Sequence, residues 1–164
     1  MKKLYAPWRS QYINRVHNKA EIAACVFCAI SESDNDAQEF VLKRFEHCMV
    51  MLNKYPYNPG HLLIVPYAHH EQLYHYESAV HTELIAHAST ASETLQKVLG
   101  AHGCNVGINV GKAAGAGIPE HLHMHVLPRF IGDTNFLPTL ADTKQISIDL
   151  NEIYAKLLGA YKSI

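Results

Sequence analysis

Two stretches of the chain repeat apolar residues at helical spacing. In the longer one, residues 78–99, Val, Leu, Ile and Ala recur every three or four positions, and Gly100 follows where such a helix would end. A second stripe of the same kind runs through residues 142–161. The pattern therefore predicts one long helix and one C-terminal helix that occupies most of residues 142–164.

Short apolar runs bounded by Gly, Pro and Asn predict the remaining elements as β-strands. Residues 40–53 predict two strands joined in a hairpin, 60–66 a strand that ends at a proline, and 104–110 a further strand. The polar stretch 31–38 predicts a loop. Strands gathered around one long helix by short links predict an α+β fold with a mainly antiparallel sheet, in a single domain that spans residues 1–164.

The segment EHLHMHVLPR, residues 120–129, has a histidine at every second position, namely His121, His123 and His125, with an apolar residue at each position between them. Successive side chains of a strand point to opposite faces, so a strand would place the three imidazoles together. A helix would spread them around its axis. Unpaired imidazoles make a poor core, because buried polar groups need partners. We therefore predict a strand whose three rings reach one ligand.

Composition narrows the class of protein. The chain has 164 residues, of which 48% are hydrophobic and 18% charged, as expected of one soluble globular domain. The net charge of −1, with histidine neutral, offers no basic surface for nucleic acid. The N-terminal arm, residues 1–20, lacks the apolar core of a signal peptide, and no apolar run is long enough to span a membrane. We expect a cytoplasmic protein that contacts neither nucleic acid nor membrane.

The same residues suggest phosphate chemistry. A neutral imidazole near pH 7 is a good nucleophile, and the phosphoryl-imidazole that it forms is reactive enough to be resolved in a second step. The glycine-rich segment GKAAGAG, residues 111–117, could offer backbone N–H groups to phosphate oxygens. It is not a Walker loop, since no Gly-Lys-Ser or Gly-Lys-Thr occurs in it.

Four sequence blocks in a fixed order resemble one known family. HLHMHVL fits the pattern His-φ-His-φ-His-φ-φ, in which φ is an apolar residue; LNKYPYNPGHLLIVP and NVGINVGKAAGAG precede it, and PRFIGDTNF follows. These blocks resemble the histidine triad (HIT) superfamily of nucleotide hydrolases and transferases. The similarity extends from about residue 25 to about residue 136, and its last two blocks look like the bacterial branch that contains diadenosine tetraphosphate phosphorylases.

The resemblance implies a mechanism and a set of residues. His123 would attack the α-phosphorus of a dinucleoside polyphosphate, with His121 and His125 completing the catalytic triad, and water or phosphate would resolve the nucleotidyl-histidine. His125 and His61 would donate hydrogen bonds to phosphate oxygens. The implied nucleotide-binding positions are Asn53, His61, Asn109, Gly117 and His125. From the residues alone, Asn53 is equally compatible with a turn, and His61 with a strand end that has no role.

The cysteine pair in CVFC, residues 25–28, suits a metal in a reducing compartment better than a disulfide framework. A tetrahedral zinc site needs two more ligands. In zinc-bearing members of the family these are a histidine three residues after the strand-ending proline and the first triad histidine, so the resemblance implies a structural zinc on Cys25, Cys28, His69 and His121. Two buried thiols are the alternative. A redox pair would have to open a helix that follows a strand, which the pattern does not predict.

One departure from the family narrows the activity. Members that cleave phosphoramidates have a polar Gln-Ser type pair shortly before the triad, where this chain has Gly117 and Ile118. Cleavage of a dinucleoside polyphosphate is therefore the leading hypothesis. The alternatives are hydrolysis of a nucleoside phosphoramidate or adenylyl conjugate, nucleotide binding with little turnover, and a catalytic zinc held by the triad. The family also pairs two units into one sheet, so we expect a homodimer that uses a sheet edge and the apolar side of residues 80–99.

Overall fold

A computed structural model describes residues 25–134 and 149–164. Five strands within these ranges form one sheet: β1 (Val41–Arg44), β2 (Cys48–Leu52), β3 (Leu62–Pro66), β4 (Gly103–Ile108) and β5 (Met124–Arg129). Four helices accompany them: α1 (Val26–Glu32), α2 (Asp36–Glu39), α3 (Ser78–Leu99) and α4 (Leu150–Tyr161). The strand order is β1-β2-β3-β5-β4, and all neighbours are antiparallel. The predicted α+β fold is confirmed.

The described ranges leave two predictions without a structural counterpart. The N-terminal arm, residues 1–20, and the boundary of the domain at residue 1 lie outside them, so the single domain over residues 1–164 stays a prediction. Among the helices of the described part, none is both long and apolar enough to cross a membrane.

The central strands β2 and β3 are buried along their whole length because helices pack against both faces of the sheet. Side chains alternate between the two faces. Val50 and Ile64 pack with Leu84 in the core beneath α3, whereas Met51 and Leu63 pack with the buried side chains of α1. The sheet thus separates a large core under α3 and α4 from a small core under α1.

The long helix agrees closely with its prediction. It ends at Gly100, whose left-handed φ of 68° turns the chain so that the next N–H, that of Ala101, donates back to the Leu95 carbonyl. Its apolar stripe is buried on this chain's own sheet through Leu84, Ala88, Ala91 and Leu95. Most of the apolar side that we expected at a subunit interface is therefore already covered by the monomer core, whereas Ile85 of the same helix is 63% exposed, and the interface stays a prediction.

The loop predicted at residues 31–38 is wrong except at residues 33–35, since α1 continues to Glu32 and α2 begins at Asp36. The cause is Arg44 of β1, whose guanidinium donates hydrogen bonds of 2.8–2.9 Å to the carbonyls of Ile30, Ser31 and Ser33 and to the carboxylate of Asp36. These carbonyls lie at the C-terminal end of α1, where the helix runs out of its own donors. A residue on a neighbouring strand stabilises the helices, so the local sequence does not reveal them.

The histidine segment is a strand only in its second half. β5 begins at Met124, and β3 pairs with it only as far as Ile64. Before that point the chain leaves the sheet, and the N–H of Leu122 donates to the carbonyl of His70 at 2.8 Å. The strand predicted over residues 120–129 therefore starts four residues late, and two of the three histidines precede it.

The C-terminal helix is shorter than predicted in the part that the structure describes. α4 begins after Asp149, whose carboxylate accepts hydrogen bonds from the N–H groups of Asn151 and Glu152. Ile153, Leu157 and Tyr161 anchor it to the core. The first residues of the predicted helix, 142–148, lie outside the described residues.

Candidate functional site

An open cavity of about 300 Å³ lies on the α1 side of the sheet, at the lower end of the range for small-molecule sites. Its apolar lining is formed by Val26, Phe27, Ile30, Met51, Leu63 and Ile118. Its polar lining includes Asn53, Lys54, Asn109, His123 and His125, with Gly115 and Gly117 from the glycine-rich loop. The cavity therefore combines one apolar wall with a floor of imidazoles and amides.

A chain of hydrogen bonds fixes the proton on His125. The backbone N–H of Tyr57 donates to Nδ1 of His61 at 3.2 Å, so the His61 proton is on Nε2. That Nε2 donates to Nδ1 of His125 at 2.9 Å, which leaves the His125 proton on its own Nε2. The Nε2 atom of His125 is buried and has no hydrogen-bond partner in the described part of the chain. It is a donor prepared for an acceptor that enters the cavity.

Asn53 supports the same arrangement from the end of β2. Its side-chain N–H lies 3.3 Å from Nδ1 of His61, and its carbonyl oxygen accepts from the N–H of Tyr55 at 2.9 Å. Asn53 also lines the cavity. It can therefore hold His61 and face a bound molecule at the same time.

His123 has the opposite arrangement of proton and lone pair. Its Nδ1 donates to the backbone carbonyl of His121 at 2.9 Å, so the lone pair is on Nε2. The ring lines the cavity and lies 5.0 Å from the ring of His125, centroid to centroid. The cavity thus presents one imidazole lone pair beside one imidazole donor, a pairing suited to nucleophilic attack on a phosphate.

Burial keeps these rings neutral. It lowers the pKa of His123, and it lowers that of His125 to about 4, with the neighbouring charge of His123 adding to the effect. The pKa of His61 falls to about 3 through burial and through the charges of His125 and His123. At neutral pH all three are therefore neutral imidazoles with one N–H each, the state in which His123 can attack.

A second cluster joins Cys25, Cys28, His69 and His121. Nδ1 of His121 lies 3.3 Å and 3.6 Å from the sulfurs of Cys25 and Cys28, and Nδ1 of His69 lies 3.3 Å from the Cys28 sulfur. All four ligand atoms lie within 4.8 Å of one another. Zinc–sulfur and zinc–nitrogen bonds of ordinary length put neighbouring ligands of a tetrahedral site about 3.3–3.8 Å apart.

The hydrogen bonding around this cluster also fits zinc. Nε2 of His121 donates to the backbone carbonyl of Pro66 at 2.9 Å, which directs the Nδ1 lone pair toward the two sulfurs. Burial and the neighbouring Cys25 thiol raise the pKa of Cys28, so a divalent cation would supply the positive charge that two thiolates need. Two sulfurs and two imidazole nitrogens are a donor set of structural zinc sites.

Cys25 and Cys28 occupy the start of α1, with Cys25 at the N-cap position. The pair therefore opens a helix, which the sequence pattern did not predict, and the residues before it lie outside the described part of the chain. The two thiols converge on histidines from distant parts of the chain, and this arrangement could hold a metal ion.

The predicted residues are divided between the two clusters. The cavity is lined by Asn53, Asn109, Gly117, His123 and His125. The ring of His121 instead faces the cysteines, and only its carbonyl contacts His123. Both ring nitrogens of His61 are engaged within the protein, so the predicted contact between His61 and phosphate would require one of these bonds to open.

Sequence reasoning missed three contributors to the site. They are the N–H of Tyr57, the carbonyl of Pro66 and the apolar wall of α1 that includes Phe27. The first two are backbone atoms, which every residue or nearly every residue supplies, so no sequence signal marks them. The third had a signal, because the apolar residues in VFCAI lie one turn apart on a helix.

Comparison with known proteins places this geometry in a family. The model of the HIT domain matches residues 34–132. An AP-4-A phosphorylase of Mycobacterium tuberculosis is 36% identical over 151 residues, which cover 89% of this chain and 77% of that protein. An asymmetrical bis(5'-nucleosyl)-tetraphosphatase of Schizosaccharomyces pombe is 30% identical over 89 residues, which cover 54% of this chain and 48% of that protein.

A solved structure supports the same family assignment. The zinc-bound histidine triad family protein of Mycobacterium smegmatis superposes with a TM-score of 0.70 and 28% identity, covering 85% of this chain and 94% of that one. The sequence blocks, the antiparallel sheet and the matched domain all point the same way. The chain belongs to the histidine triad (HIT) domain family.

Proposed function

We propose that this protein is an enzyme that cleaves dinucleoside polyphosphates, such as diadenosine tetraphosphate, at the α-phosphorus. The observation that supports this most strongly is the opposed pair in the cavity, in which His123 presents a lone pair and His125 presents a buried N–H with no partner among the described residues. The names of the Mycobacterium tuberculosis and Schizosaccharomyces pombe relatives support the substrate class.

In the first step Nε2 of His123 attacks the α-phosphorus. A nitrogen–phosphorus bond forms, and the bond from phosphorus to the bridging oxygen of the polyphosphate breaks. The leaving group is the remaining nucleoside polyphosphate, which is ATP when the substrate is diadenosine tetraphosphate. His125 donates its N–H to a non-bridging oxygen of the α-phosphate, where negative charge accumulates during the attack.

In the second step an acceptor attacks the same phosphorus and releases His123. Phosphate as acceptor gives ADP, and water gives AMP, so the chain is either a phosphorylase or a hydrolase. The hydrogen bond from Nδ1 of His123 to the His121 carbonyl persists through both steps and stabilises the positive charge that the imidazole gains when it becomes phosphorylated.

The rest of the cavity binds the nucleotide. The apolar wall formed by Val26, Phe27 and Ile30 packs against the base, and Asn53 faces the ribose. Asn109 and the backbone around Gly117 contact phosphate oxygens. His61 acts through His125, whose proton it orients. In this assignment His121 contributes to the triad by its carbonyl.

A nucleoside phosphoramidate is a less suitable substrate. Gly117 and Ile118 both line the cavity, and neither has a side-chain hydroxyl or carboxamide to protonate a leaving nitrogen. An oxygen leaving group on a polyphosphate needs no such donor, because its pKa is already low.

Zinc completes the proposal as a structural ion. Cys25, Cys28, His69 and His121 would hold it with four protein ligands, so no position is left for substrate. Free cysteines and a soft metal site suit the reducing cytoplasm, where we expect the enzyme to act.

A homodimer is the remaining part of the proposal. β4 is an edge strand, and no described strand pairs with its outer side. Val106 on β4 and Ile85 on α3 are 47% and 63% exposed, which supports pairing of two β4 edges.

Light scattering should give about twice the chain mass of 18.4 kDa, and Val106→Glu should return the mass to that of one chain. The matched control is Val110→Glu, which is also exposed but follows the strand. A wild-type mass of one chain would contradict the dimer.

The decisive experiment is incubation of the protein with diadenosine tetraphosphate, with and without inorganic phosphate, followed by chromatography. ATP plus ADP in the presence of phosphate identifies a phosphorylase, and ATP plus AMP identifies a hydrolase. A label on the α-phosphate should remain on the protein in an alkaline quench, where a nucleotidyl-histidine is stable, and should be absent from His123→Ala. Two molecules of ADP in the absence of phosphate would indicate cleavage at the centre of the polyphosphate and would contradict the proposal.

A further inference from the structure

We propose that the metal centre controls the nucleotide cavity. Metal bound by Cys25, Cys28, His69 and His121 fixes both the apolar wall of the cavity and the ring of His123, so loss of the metal weakens nucleotide binding in a protein that stays folded. This inference rests on the proposed function in so far as the cavity binds a nucleotide. It goes further because it gives the metal centre a second role beside stability.

The first connection is the short helix α1. It has only seven residues, too few for a stable helix on its own, and its N-cap residue Cys25 makes no side-chain capping hydrogen bond. The same helix supplies Val26, Phe27 and Ile30 to the cavity. Because Cys25 and Cys28 lie in its first turn, ligation of their sulfurs would hold the wall at its otherwise uncapped end.

The second connection is the backbone of His121. Its ring belongs to the metal cluster, and its carbonyl accepts the hydrogen bond that sets the proton of His123. One residue thus joins the metal centre to the nucleophile through its own covalent bonds. A ring that shifts by a rotation of the His121 backbone would also move the carbonyl.

The third connection is the side chain of Phe27. Its ring is buried, with its centroid 5.4 Å from the ring of His121 and 5.0 Å from the ring of His123. It lies against both histidines and also lines the cavity. A movement at the cluster therefore reaches the cavity through packed side chains as well as through the backbone.

Without an ion the cluster is held weakly. Its internal contacts are sulfur–nitrogen hydrogen bonds of 3.3–3.6 Å, and sulfur is a weak donor and a weak acceptor. An ion would replace them with four strong bonds. Ion binding would therefore tighten a cluster to which the cavity wall is directly attached.

His69 permits a clean test because it is exposed and belongs to the cluster without lining the cavity. His69→Ala removes one ligand, and Cys28→Ser removes another with little change of volume. The matched control is His70→Ala, the neighbouring exposed histidine, whose ring packs edge-on against those of His75 and Tyr76 and does not belong to the cluster.

Each protein is assayed for bound zinc, for AMP affinity by calorimetry, and for the ring ¹⁵N chemical shifts of His123, before and after removal of metal by a chelator. We expect the metal-free wild type and the two ligand variants to bind AMP about tenfold more weakly, within the usual range of coupling between sites. Their His123 signals should move away from the Nδ1–H form toward an average of both tautomers. His70→Ala should behave as wild type, and zinc should restore the chelated wild type. Circular dichroism confirms that each protein is folded.

AMP affinity within about twofold and unchanged His123 shifts in the metal-free protein would overturn the coupling. Failure of the proposed function gives a different result, since a protein that binds no AMP even with zinc does not have a nucleotide cavity. In that case the His123 shifts alone decide the coupling, because they report the ring without any ligand.

Discussion

His121 and His123 are two residues apart, and both rings are buried, yet they differ in which nitrogen is available. In His121 the backbone carbonyl of Pro66 accepts from Nε2, so the Nδ1 lone pair faces two sulfurs. In His123 the carbonyl of His121 accepts from Nδ1, so the Nε2 lone pair faces the cavity. The position of a single backbone acceptor thus separates the candidate metal ligand from the proposed nucleophile.

The third histidine completes the comparison. His125 has no carbonyl beside its Nδ1 and accepts there from His61 instead, which leaves an N–H rather than a lone pair for the cavity. Three identical side chains at alternate positions therefore differ in what they present: His121 a lone pair toward two sulfurs, His123 a lone pair toward the cavity, and His125 an N–H. In each ring, the hydrogen-bond partner of one nitrogen determines whether the other nitrogen presents a lone pair or an N–H.

The largest effect is expected from His123→Ala. Removal of the only imidazole lone pair that lines the cavity in the described residues should lower kcat for diadenosine tetraphosphate by at least about 1,000-fold. The zinc content should stay at that of wild type, since the ring is not in the metal cluster. A variant that keeps more than about a tenth of the activity would remove His123 from the role of nucleophile.

Cys28→Ser tests whether the cluster around His121 binds zinc. The loss of one of two thiolate ligands should weaken zinc binding by at least about 100-fold, as measured by competition with a chromogenic chelator. Cys104→Ser is the control, because that thiol is partly buried far from the cluster and has a weak contact with the Ser92 carbonyl. Equal zinc affinity in the two variants would show that Cys28 is not a ligand.

A pair of variants at His61 tests whether this residue fixes the proton of His125. His61→Leu removes the N–H that fixes the His125 tautomer and should lower kcat by about 10- to 100-fold, as outer partners of functional histidines do. His61→Gln keeps an N–H at nearly the same place and should recover most of the loss. If both variants lose activity equally while their melting temperatures stay at the wild-type value, the orientation of His125 is not what His61 provides.

The smallest effect is a dependence of stability on pH. His61 and His125 have pKa values of about 3 and about 4 in the folded protein, against 6.5 ordinarily, because burial and the facing charge of His123 disfavour protonation. Between those values the unfolded chain binds more protons. Stability should therefore be unaffected by these rings above about pH 6.5 and should fall as the pH drops toward 4.

Thermal unfolding of the wild type and of His61→Gln at about pH 7.5, 6.5, 5.5 and 4.5 tests this. The melting temperature of the wild type should fall by roughly 3 °C more per pH unit below 6.5 than that of the variant, since one proton per pH unit corresponds to about 1.4 kcal/mol. Other groups that titrate, including the cluster ligands, are common to both proteins. Parallel curves would mean that His61 is not neutral through burial.

The sequence was sufficient for features that depend on local spacing. α3 and Gly100 follow from apolar periodicity and from a glycine that can adopt a left-handed φ. The four candidate zinc ligands came from the resemblance to the family and converge in the structure. The helix is confirmed and the four residues come together because both features depend on residue type, which is what a sequence records.

The failures share a different cause. α2 and the late start of β5 depend on partners far away in the chain, the guanidinium of Arg44 and the carbonyl of His70. The alternation of histidines predicted one cluster around one ligand, but the ring of His121 is withdrawn by an acceptor at Pro66, 55 residues earlier. Long-range hydrogen bonds to the backbone leave no trace in local pattern, so they could not be predicted.

The hydrogen bonds of Arg44 to the end of α1 also determine how this helix would fail. One end is held by a guanidinium that needs no metal, and the other is held at the cysteines. When the cysteine end is released, we expect α1 to stay attached through Arg44 at its C-terminal end and to pivot there. Local opening of this kind costs less free energy than global unfolding. Loss of metal is therefore expected to be reversible, because Arg44 keeps α1 close to its place and the two cysteines can bind the ion again.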